Sequence, residues 1–203
     1  MATNGLTILH AFADTGVECE VLSGYGDVTR VGIDPCPNPY TDELITADVR
    51  GVSFDRTFDL GIWHPPCQSW TPGAQSQGTT DDHENLIPVA RDKAREYCDE
   101  WIIENVPQAP LHNPTVLNGG MFGLPLHYER AFETSYHVPE PPRQTQLGRP
   151  NETFERHHSN GGFQGEKALW KSVKGYSHDW PSNPLKRSAI PRAYLNYLLR
   201  PLL

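Results

Sequence analysis

A thiol and a carboxylate each follow an apolar segment of the chain, and together they could carry out covalent catalysis. The first apolar segment, Phe58–Trp63, leads into the loop His64–Trp70, which contains Cys67. The second, Trp101–Ile103, is followed at once by Glu104. A cysteine thiolate is a strong nucleophile, and a nearby carboxyl group can move the protons of the reaction. We therefore expect these two side chains to share one reaction site.

The elements around Cys67 and Glu104 explain how the two side chains could meet. Each apolar segment is typical of a buried strand that ends in a polar loop containing proline. In an open α/β sheet, ligands bind outside the carboxyl ends of the strands. Strands and helices alternate along the chain, which indicates right-handed crossovers between parallel strands. The sequence therefore predicts an α/β fold with a doubly wound, mostly parallel sheet.

The apolar pattern also gives the positions of the individual elements. Strands are predicted at Leu6–Phe12, Val28–Ile33, Leu44–Val49 (a short strand or edge), Phe58–Trp63, Trp101–Ile103 and Arg130–Thr134. Helices are predicted at Val17–Ser23, from Asp82 to about Glu100, and at Leu185–Leu199, the last one interrupted by Pro191. Residues 71–82 and about 138–165 are rich in Gly, Pro and polar side chains, so we expect loops there.

Length and composition favour one globular domain spanning residues 1–203. Hydrophobic residues make up 37% of the 203 residues, and the 19 prolines suggest long loops around a compact core. No apolar stretch reaches the roughly 18 residues of a membrane span, and no secretory signal opens the chain. We therefore expect a cytoplasmic protein without a membrane partner.

The charge balance bears on nucleic-acid binding in two ways. A net charge of −8 argues against broad, sequence-independent binding to DNA, which needs a basic footprint. However, most basic residues lie from Arg130 onward, whereas the acidic excess lies in the first half. A basic face in the C-terminal half and a scatter of solvated charges are both compatible with this pattern.

The cysteines and histidines do not suggest a metal site. The four cysteines, Cys19, Cys36, Cys67 and Cys98, lie far apart, and none forms the Cys-x-x-Cys pairing of zinc sites. The pair His157-His158 has no matching cluster of ligands, and a surface loop is the simpler interpretation. We expect free thiols and no bound metal.

An ordered set of motifs resembles the cytosine-C5 DNA methyltransferase family. Pro66-Cys67-Gln68 matches the family's Pro-Cys-Gln loop, and Glu104-Asn105-Val106 matches its Glu-Asn-Val loop. The extension of this second motif to Leu111 is similar to that of small phage-type members. Four later segments continue the resemblance: Met121–Leu124, Arg130–Ser135, Gly175–Trp180 and Ala189–Tyr194. The order and spacing match over nearly the whole chain.

The resemblance implies a Rossmann-like, S-adenosylmethionine-dependent methyltransferase that acts on C5 of cytosine in DNA, in the host cytoplasm if the chain is phage-encoded. Cys67 would be the nucleophile, Glu104 would contact N3 and the 4-amino group, and Arg130 would help to hold the base. The substrate-binding residues would be Gln68, Ser69, Asn105, Arg143 and Lys171, the last two of which could contact phosphates.

The resemblance also implies a binding site for S-adenosylmethionine. Its residues would be Phe12, Asp14, Gly16, Asp34, Asp48, Val49 and Pro66. The family's Phe-Ala-Gly-x-Gly-Gly turn is here Phe12 to Val17, with two glycines replaced. Asp14 could instead accept a hydrogen bond from the donor's amino group, Asp34 could bind the ribose hydroxyls, and Asp48 could bind the adenine amino group.

The chain also departs from the family, and the departures leave alternatives open. Residues 138–174 form a loop-rich insert in place of a target-recognition domain, which would need at least about 50 residues. The enzyme could then read a very short site, a partner could supply recognition, or the substrate could be a free pyrimidine nucleotide such as dCMP. The chain could also form a homo-oligomer. The group added to C5 could differ from methyl. A further alternative is a catalytically degenerate methyltransferase-fold binding module.

Overall fold

A computed structural model of the chain describes residues 5–70, 83–126, 128–139, 141 and 166–203. Three features of the sequence prediction lie outside these residues: the loop at 71–82, Arg143, and most of the loop at 138–165. Among the described residues, no helix has the length and apolar character needed to cross a membrane.

The described residues contain seven strands, which form one sheet, and five α-helices. The strands are β1 (Leu6–Ala11), β2 (Gly26–Gly32), β3 (Glu43–Thr46), β4 (Phe58–Trp63), β5 (Cys98–Asn105), β6 (Thr115–Leu117) and β7 (Arg130–Thr134). The helices are α1 (Cys19–Leu22), α2 (Ile87–Tyr97), α3 (Lys167–Lys174), α4 (Ser182–Arg187) and α5 (Arg192–Leu199). Short 3₁₀ turns lie at Gln68–Trp70, Gly119–Phe122 and Arg200–Leu202.

The sheet has the strand order β3-β2-β1-β4-β5-β7-β6. Strands β3, β2, β1, β4 and β5 pair in parallel, and β7 pairs with β5 antiparallel. From β1 the chain adds β2 and β3 on one side of the sheet and then β4 and β5 on the other side. Doubly wound sheets bind their ligands at such a point, where the direction of strand addition changes. The predicted α/β fold with a mostly parallel sheet is confirmed.

The chain divides into two compact units, and the first contains Met1–Thr115 and Arg130–His137. On one face of its sheet, side chains of β1 and β4 such as Leu9 and Trp63 form a core with Ala90 and Ala94 of α2. Ile87, Ala90 and Ala94 recur at helical spacing, which gives α2 one apolar face. Burial of that face fixes the helix against the sheet.

The second unit contains Val116–Glu129 and Val138–Leu203, and buried Trp170, Leu185 and Tyr194 belong to it. The ammonium group of Lys174, which is 1% exposed, donates to the carbonyl oxygens of Lys186 (3.0 Å) and Ala189 (2.7 Å). It also lies 4.1 Å from the ring centre of Tyr128. These contacts join α3 to the end of α4 and to the turn that follows it.

Several predicted boundaries need correction. The helix expected to reach Glu100 ends at Tyr97, because Cys98 and Glu100 already pair with β4. Helix α2 begins at Ile87, and its Pro88 lies in the first turn, where proline is tolerated. The third strand ends at Thr46.

The C-terminal part of the chain follows the prediction in one place and departs from it in another. The break expected at Pro191 is present, since α4 ends before it and α5 begins directly after it. The last eight residues of the expected insert, Lys167–Lys174, form helix α3 instead of a loop. Strand β6 was also not predicted. The expectation of a single domain stays a prediction.

Candidate active site

Glu104 lies between two basic side chains at the end of β5. Its Oε1 atom is 3.0 Å from Nε of Arg130, and its Oε2 atom is 2.9 Å from Nδ1 of His64. Only 8% of Glu104 is exposed. The three residues come from β5, from the first position of β7 and from the position after β4, and β5 pairs with both β4 and β7. The neighbouring strands thus bring Glu104 and Arg130 together, as the sequence predicted, and add His64.

Cys67 lies on the loop after β4 and packs beside the loop after β5. Its half-buried side chain contacts a small apolar cluster that contains Ile87 and Val106. The loop is also tied to the end of β5 by a hydrogen bond of 2.9 Å from Nδ2 of Asn105 to the carbonyl oxygen of Pro65. Glu104 and Asn105 are the last two residues of β5, so Glu104 lies in the strand and not in the loop that the sequence predicted. The Cys67 loop and the carboxyl end of β5 are therefore neighbours at the same edge of the sheet.

The electrostatic surroundings of Cys67 favour the thiol over the thiolate. Burial raises the pKa of the Cys67 thiol above its usual 9.0, the positive charge of Arg130 opposes this rise, and the negative charge of Glu104 adds to it. Arg130 therefore acts on both members of the predicted pair, since it neutralises Glu104 and stabilises a Cys67 thiolate.

His64 is the neighbour of Glu104 that the sequence analysis did not single out. Burial alone would lower the pKa of His64, but the hydrogen bond to Glu104 and the negative charges of Glu18 and Glu104 raise it above its usual 6.5. His64 extends the ladder beyond β4, because its backbone N–H donates to the carbonyl oxygen of Ala11 (3.2 Å). Side chains two positions apart in a strand point to the same face, so the position of His64 two residues after the buried Ile62 could have indicated that His64 faces the interior.

A second buried histidine, His10, lies beside His64. His10 on β1 pairs in register with Ile62, so side-chain alternation puts His10 and His64 on the same face of the sheet. The two imidazole rings meet edge to face, with centroids 5.1 Å apart. Nδ1 of His10 lies 3.2 Å from Sγ of Cys19, and Nε2 lies 3.9 Å from Oε2 of Glu18. Burial, together with the charges of His64 and Arg30, lowers the pKa of His10 well below its usual 6.5.

The turn after β1 holds its shape although two glycines of the resembled Phe-Ala-Gly-x-Gly-Gly pattern are replaced. Fully buried Arg30 donates to the carbonyl oxygens of Asp14 (3.1 Å) and Cys36. Gly16 has φ +64°, and a Cβ there would lie 2.5 Å from Cδ of Arg30. Phe12 also has a positive φ of 58°, which is uncommon for a residue other than glycine. Such strained backbone is often found at ligand sites.

The predicted cofactor residues range from exposed to fully buried. Asp34 is exposed at the end of β2, next to Ile33, which is 68% exposed. Its backbone N–H donates to Oδ1 of Asp14 (3.1 Å), so one oxygen of Asp14 already has a partner. Pro66 is half-buried, whereas Val49 is buried in the core, where it contributes packing.

Asp48 is held by an ion pair at the end of β3. Its carboxylate accepts hydrogen bonds from Nε of Arg50 at 3.0 and 2.9 Å, and these bonds lower its pKa to about 2. Arg50 also reaches Glu84 at 2.8 Å. A ligand that bonds to Asp48 would have to share it with Arg50.

The predicted substrate residues lie in different surroundings. Gln68 is exposed beside Cys67, whereas Oγ of buried Ser69 donates to the carbonyl oxygen of His83 at 3.0 Å. Asn105 is 1% exposed, and it accepts from the N–H of Val106 (2.9 Å) besides bonding Pro65. Ser69 and Asn105 thus fix the loops in the structure. Lys171 is half-buried on α3 in the second unit, and Arg143 lies outside the described residues.

Comparison with solved structures shows the fold. The "Entamoeba histolytica methyltransferase EhMeth" matches with a TM-score of 0.57 and 10% identity, covering 99% of this chain and 100% of that one. The chain has a methyltransferase fold. A 1,6-didemethyltoxoflavin-N1-methyltransferase from Burkholderia thailandensis matches more weakly, with a TM-score of 0.39 and 13% identity, covering 66% of this chain and 72% of that one. No family model matches the chain, and no curated protein matches its sequence.

Proposed function

We propose that this protein is an S-adenosylmethionine-dependent methyltransferase that modifies C5 of cytosine in DNA through Cys67. The observation that carries the proposal is the placement of Glu104, held by Arg130 and His64 and directly beside the Cys67 loop. The methyltransferase fold, which extends over 99% of the chain, supports the same conclusion.

Cys67 would start the reaction as a nucleophile. C5 of cytosine is unreactive toward an electrophile until a nucleophile adds to C6 and makes the ring an enamine. The Cys67 thiolate would form the S–C6 bond, and the electron pair of the C5–C6 double bond would move to C5. Since burial raises the pKa of this thiol, the positive charge of Arg130 is needed to make the thiolate available.

Glu104 would pass a proton from solvent to N3 of the cytosine during this addition and would hold it there as a hydrogen-bond acceptor. Arg130 and His64 contact one carboxylate oxygen each, so they fix the plane in which Glu104 meets the base. Once C5 carries the new group, loss of the C5 proton to a solvent base would expel the Cys67 thiolate and restore the double bond. The N3 proton would then leave through Glu104 to solvent, which restores the Glu104 carboxylate of the starting state.

The turn after β1 and the end of β2 would hold the methyl donor. Phe12 with its positive φ, exposed Asp34 and exposed Ile33 offer a strained backbone, a carboxylate for hydroxyl groups and an apolar surface at the sheet's switch point. These features fit a nucleoside-containing ligand. When bound there, S-adenosylmethionine supplies an electrophilic methyl group.

Trapping of the covalent intermediate tests the proposal. The protein is incubated with S-adenosylmethionine and duplex DNA that contains 5-fluorocytosine, whose fluorine cannot leave C5 as the proton does. We expect a stable protein–DNA adduct, and mass spectrometry of the digested adduct should locate it on Cys67. Turnover of ordinary cytosine without any adduct on 5-fluorocytosine would contradict covalent catalysis.

Two variants give this experiment a matched control. Cys67→Ser should abolish both turnover and the adduct, whereas Cys36→Ser, at an exposed thiol, should leave both unchanged. Thermal unfolding of both variants should stay near that of the natural chain, since Cys67 is only half-buried at the edge of a small apolar cluster and serine is of similar size. Adduct formation by Cys67→Ser would show that another nucleophile acts.

A free pyrimidine nucleotide is the second candidate substrate. It is favoured by the net charge of −8, since DNA binding is driven by phosphate contacts with basic side chains. The same assay with dCMP in place of DNA, at salt concentrations from about 50 to 200 mM, separates the two. Activity on dCMP that is independent of salt, with none on DNA, would favour the nucleotide.

A further inference from the structure

Two buried imidazole nitrogens beside the candidate active site have no hydrogen-bond partner. They are the Nε2 atoms of His10 and His64. His10 is completely buried, and the side chain of His64 is 15% exposed. Most buried polar atoms in proteins are paired, and an exception calls for an explanation such as an ion or a water molecule that belongs there.

A carboxylate completes a set of three donors at this position. His10, His64 and Glu18 each offer one ligand atom, and these atoms all lie within 4.8 Å of one another. Ligands bound to one tetrahedral zinc ion at about 2.0–2.1 Å lie about 3.3 Å apart. Shifts of each side chain on the order of 1 Å, which small rotamer changes provide, would therefore suffice for all three to bind one ion.

The other ring nitrogens of both histidines are already occupied, which leaves Nε2 as the ligand atom. Nδ1 of His64 lies 2.9 Å from the carboxylate of Glu104, and Nδ1 of His10 lies 3.2 Å from Sγ of Cys19. Histidines that bind metals usually donate the other N–H to a carboxylate, carbonyl or water, which fixes the tautomer and the ring. The Glu104–His64 pair has this arrangement.

We propose that His10, Glu18 and His64 form a binding site for one divalent transition-metal ion of the zinc class. Two imidazoles and one carboxylate suit zinc and its neighbours, whereas magnesium and calcium prefer oxygen ligands. Three protein ligands leave a fourth position for water or another small ligand. The proposal goes beyond the methyltransferase function and does not depend on it, because it rests on the donor atoms alone.

A metal at this site would connect β1 and the start of α1 to the candidate active site. His64 would bind the ion through Nε2, and its Nδ1–H would donate to the carboxylate of Glu104. The ion would therefore fix the orientation of this carboxylate through His64. Glu104 and His64 would then be less mobile in the metal-bound protein.

The test is a titration of the full chain, freed of metal by a chelator, with Co²⁺. Tetrahedral or five-coordinate cobalt absorbs in the visible range, so binding is measured without any enzymatic activity. The Cys36→Ser background removes an exposed thiol that could bind cobalt. We expect saturation at one equivalent, displacement by Zn²⁺, and no displacement by Mg²⁺ at the same concentration.

Variants of the ligands decide whether the three side chains form the site. Glu18→Gln and His10→Gln should each weaken Co²⁺ binding by 10-fold or more, and His83→Gln, at an exposed histidine, should not. Because His10 is completely buried, circular dichroism and thermal unfolding of each metal-free variant must show that it is folded. Should His10→Gln fail to fold, Glu18→Gln decides the question.

Three results would overturn the proposal. The first is the absence of saturable Co²⁺ binding, and the second is an equal affinity for Co²⁺ in Glu18→Gln and in the natural chain. The third is a strong thiolate-to-cobalt absorption band, which would show that a cysteine such as Cys67 holds the ion. Because none of these results involves methylation, failure of the metal site and failure of the proposed function are distinguishable.

Discussion

Replacement of Arg91 by Met should destabilise the first unit strongly, because it leaves a buried carboxylate without its main partner. Arg91 on α2 and Glu133 on β7 are 8% and 3% exposed. Nε and Nη2 of Arg91 donate to the two carboxylate oxygens at 2.7 and 2.8 Å. The pair ties α2 to the strand that begins with Arg130, so it also supports the candidate site.

The magnitude follows from what remains after the replacement. Removal of one partner from a buried ion pair typically costs about 3–5 kcal/mol. The backbone N–H of His112 would still donate to Oε2 of Glu133 (2.8 Å), so we expect the lower end, about 3 kcal/mol. The double variant Arg91→Met/Glu133→Gln removes the unpaired charge, and it should recover part of this loss. Arg56→Met is the matched control, since its pair with Glu43 is half-exposed and should contribute about 0–1 kcal/mol.

Urea unfolding at several pH values measures these differences and gives a second check. Burial alone would raise the pKa of Glu133, but the hydrogen bonds from Arg91 and His112 lower it below its usual 4.5. In the natural chain the ion pair stabilises the fold fully when the pH is above the pKa that Glu133 has in the unfolded chain. This stabilisation is lost as the pH falls through the lower pKa that Glu133 has in the folded chain. Without Arg91, burial should raise the pKa of Glu133, so the difference between the two proteins should begin to shrink above pH 4.5, as the variant takes up its proton, and should shrink further below pH 4.5, as the natural chain loses its own stabilisation. A cost under about 1 kcal/mol at neutral pH, typical of exposed pairs, would refute the reasoning.

Three further replacements or conditions have definite expected outcomes. Gly16→Ala should destabilise the chain by at least about 1–2 kcal/mol in urea unfolding, because φ is positive there and the new Cβ would meet Arg30; equal stability would contradict the packing. Lys174→Met should cost about 1–3 kcal/mol, since two carbonyl oxygens lose their donor, and a neutral effect would argue against the buried ammonium group. Alkylation of Cys67 by iodoacetamide should accelerate as the pH rises past 9.0, because burial raises its pKa; a plateau below about pH 8 in peptide mass spectrometry would show that the thiolate is stabilised instead.

The parts of the fold that were predicted correctly depend on local pattern. Strands β1 and β4 are short apolar runs between polar turns, and the break at Pro191 follows from the missing N–H of proline. The loop position of Cys67 follows from the end of β4, whereas Glu104 lies in β5, because pairing with β7 extends that strand to Asn105. The predicted helix passed its true end at Tyr97 because Cys98–Glu100 is polar enough to continue a helix, and only pairing with β4 makes it a strand.

The parts that were missed depend on partners distant in sequence. His10 lies within an apolar strand and looks like an isolated core residue until His64 and Glu18 are folded against it. Arg30 replaces the expected glycines by holding the turn after β1, and no local pattern signals such a role. Long-range polar contacts of this kind become visible only once the strands are in register.

The order in which the chain visits its two units has a consequence for biosynthesis. Strand β7 belongs to the first unit but follows a segment of the second, so it leaves the ribosome well after its neighbour β5. At 5–20 residues per second this interval is on the order of a few seconds. During that time β5 has one unpaired edge, which is a template for incorrect pairing with another strand. Slow translation between Asn105 and Arg130 should therefore lower the yield of native protein, and a chain truncated before Arg130 should aggregate.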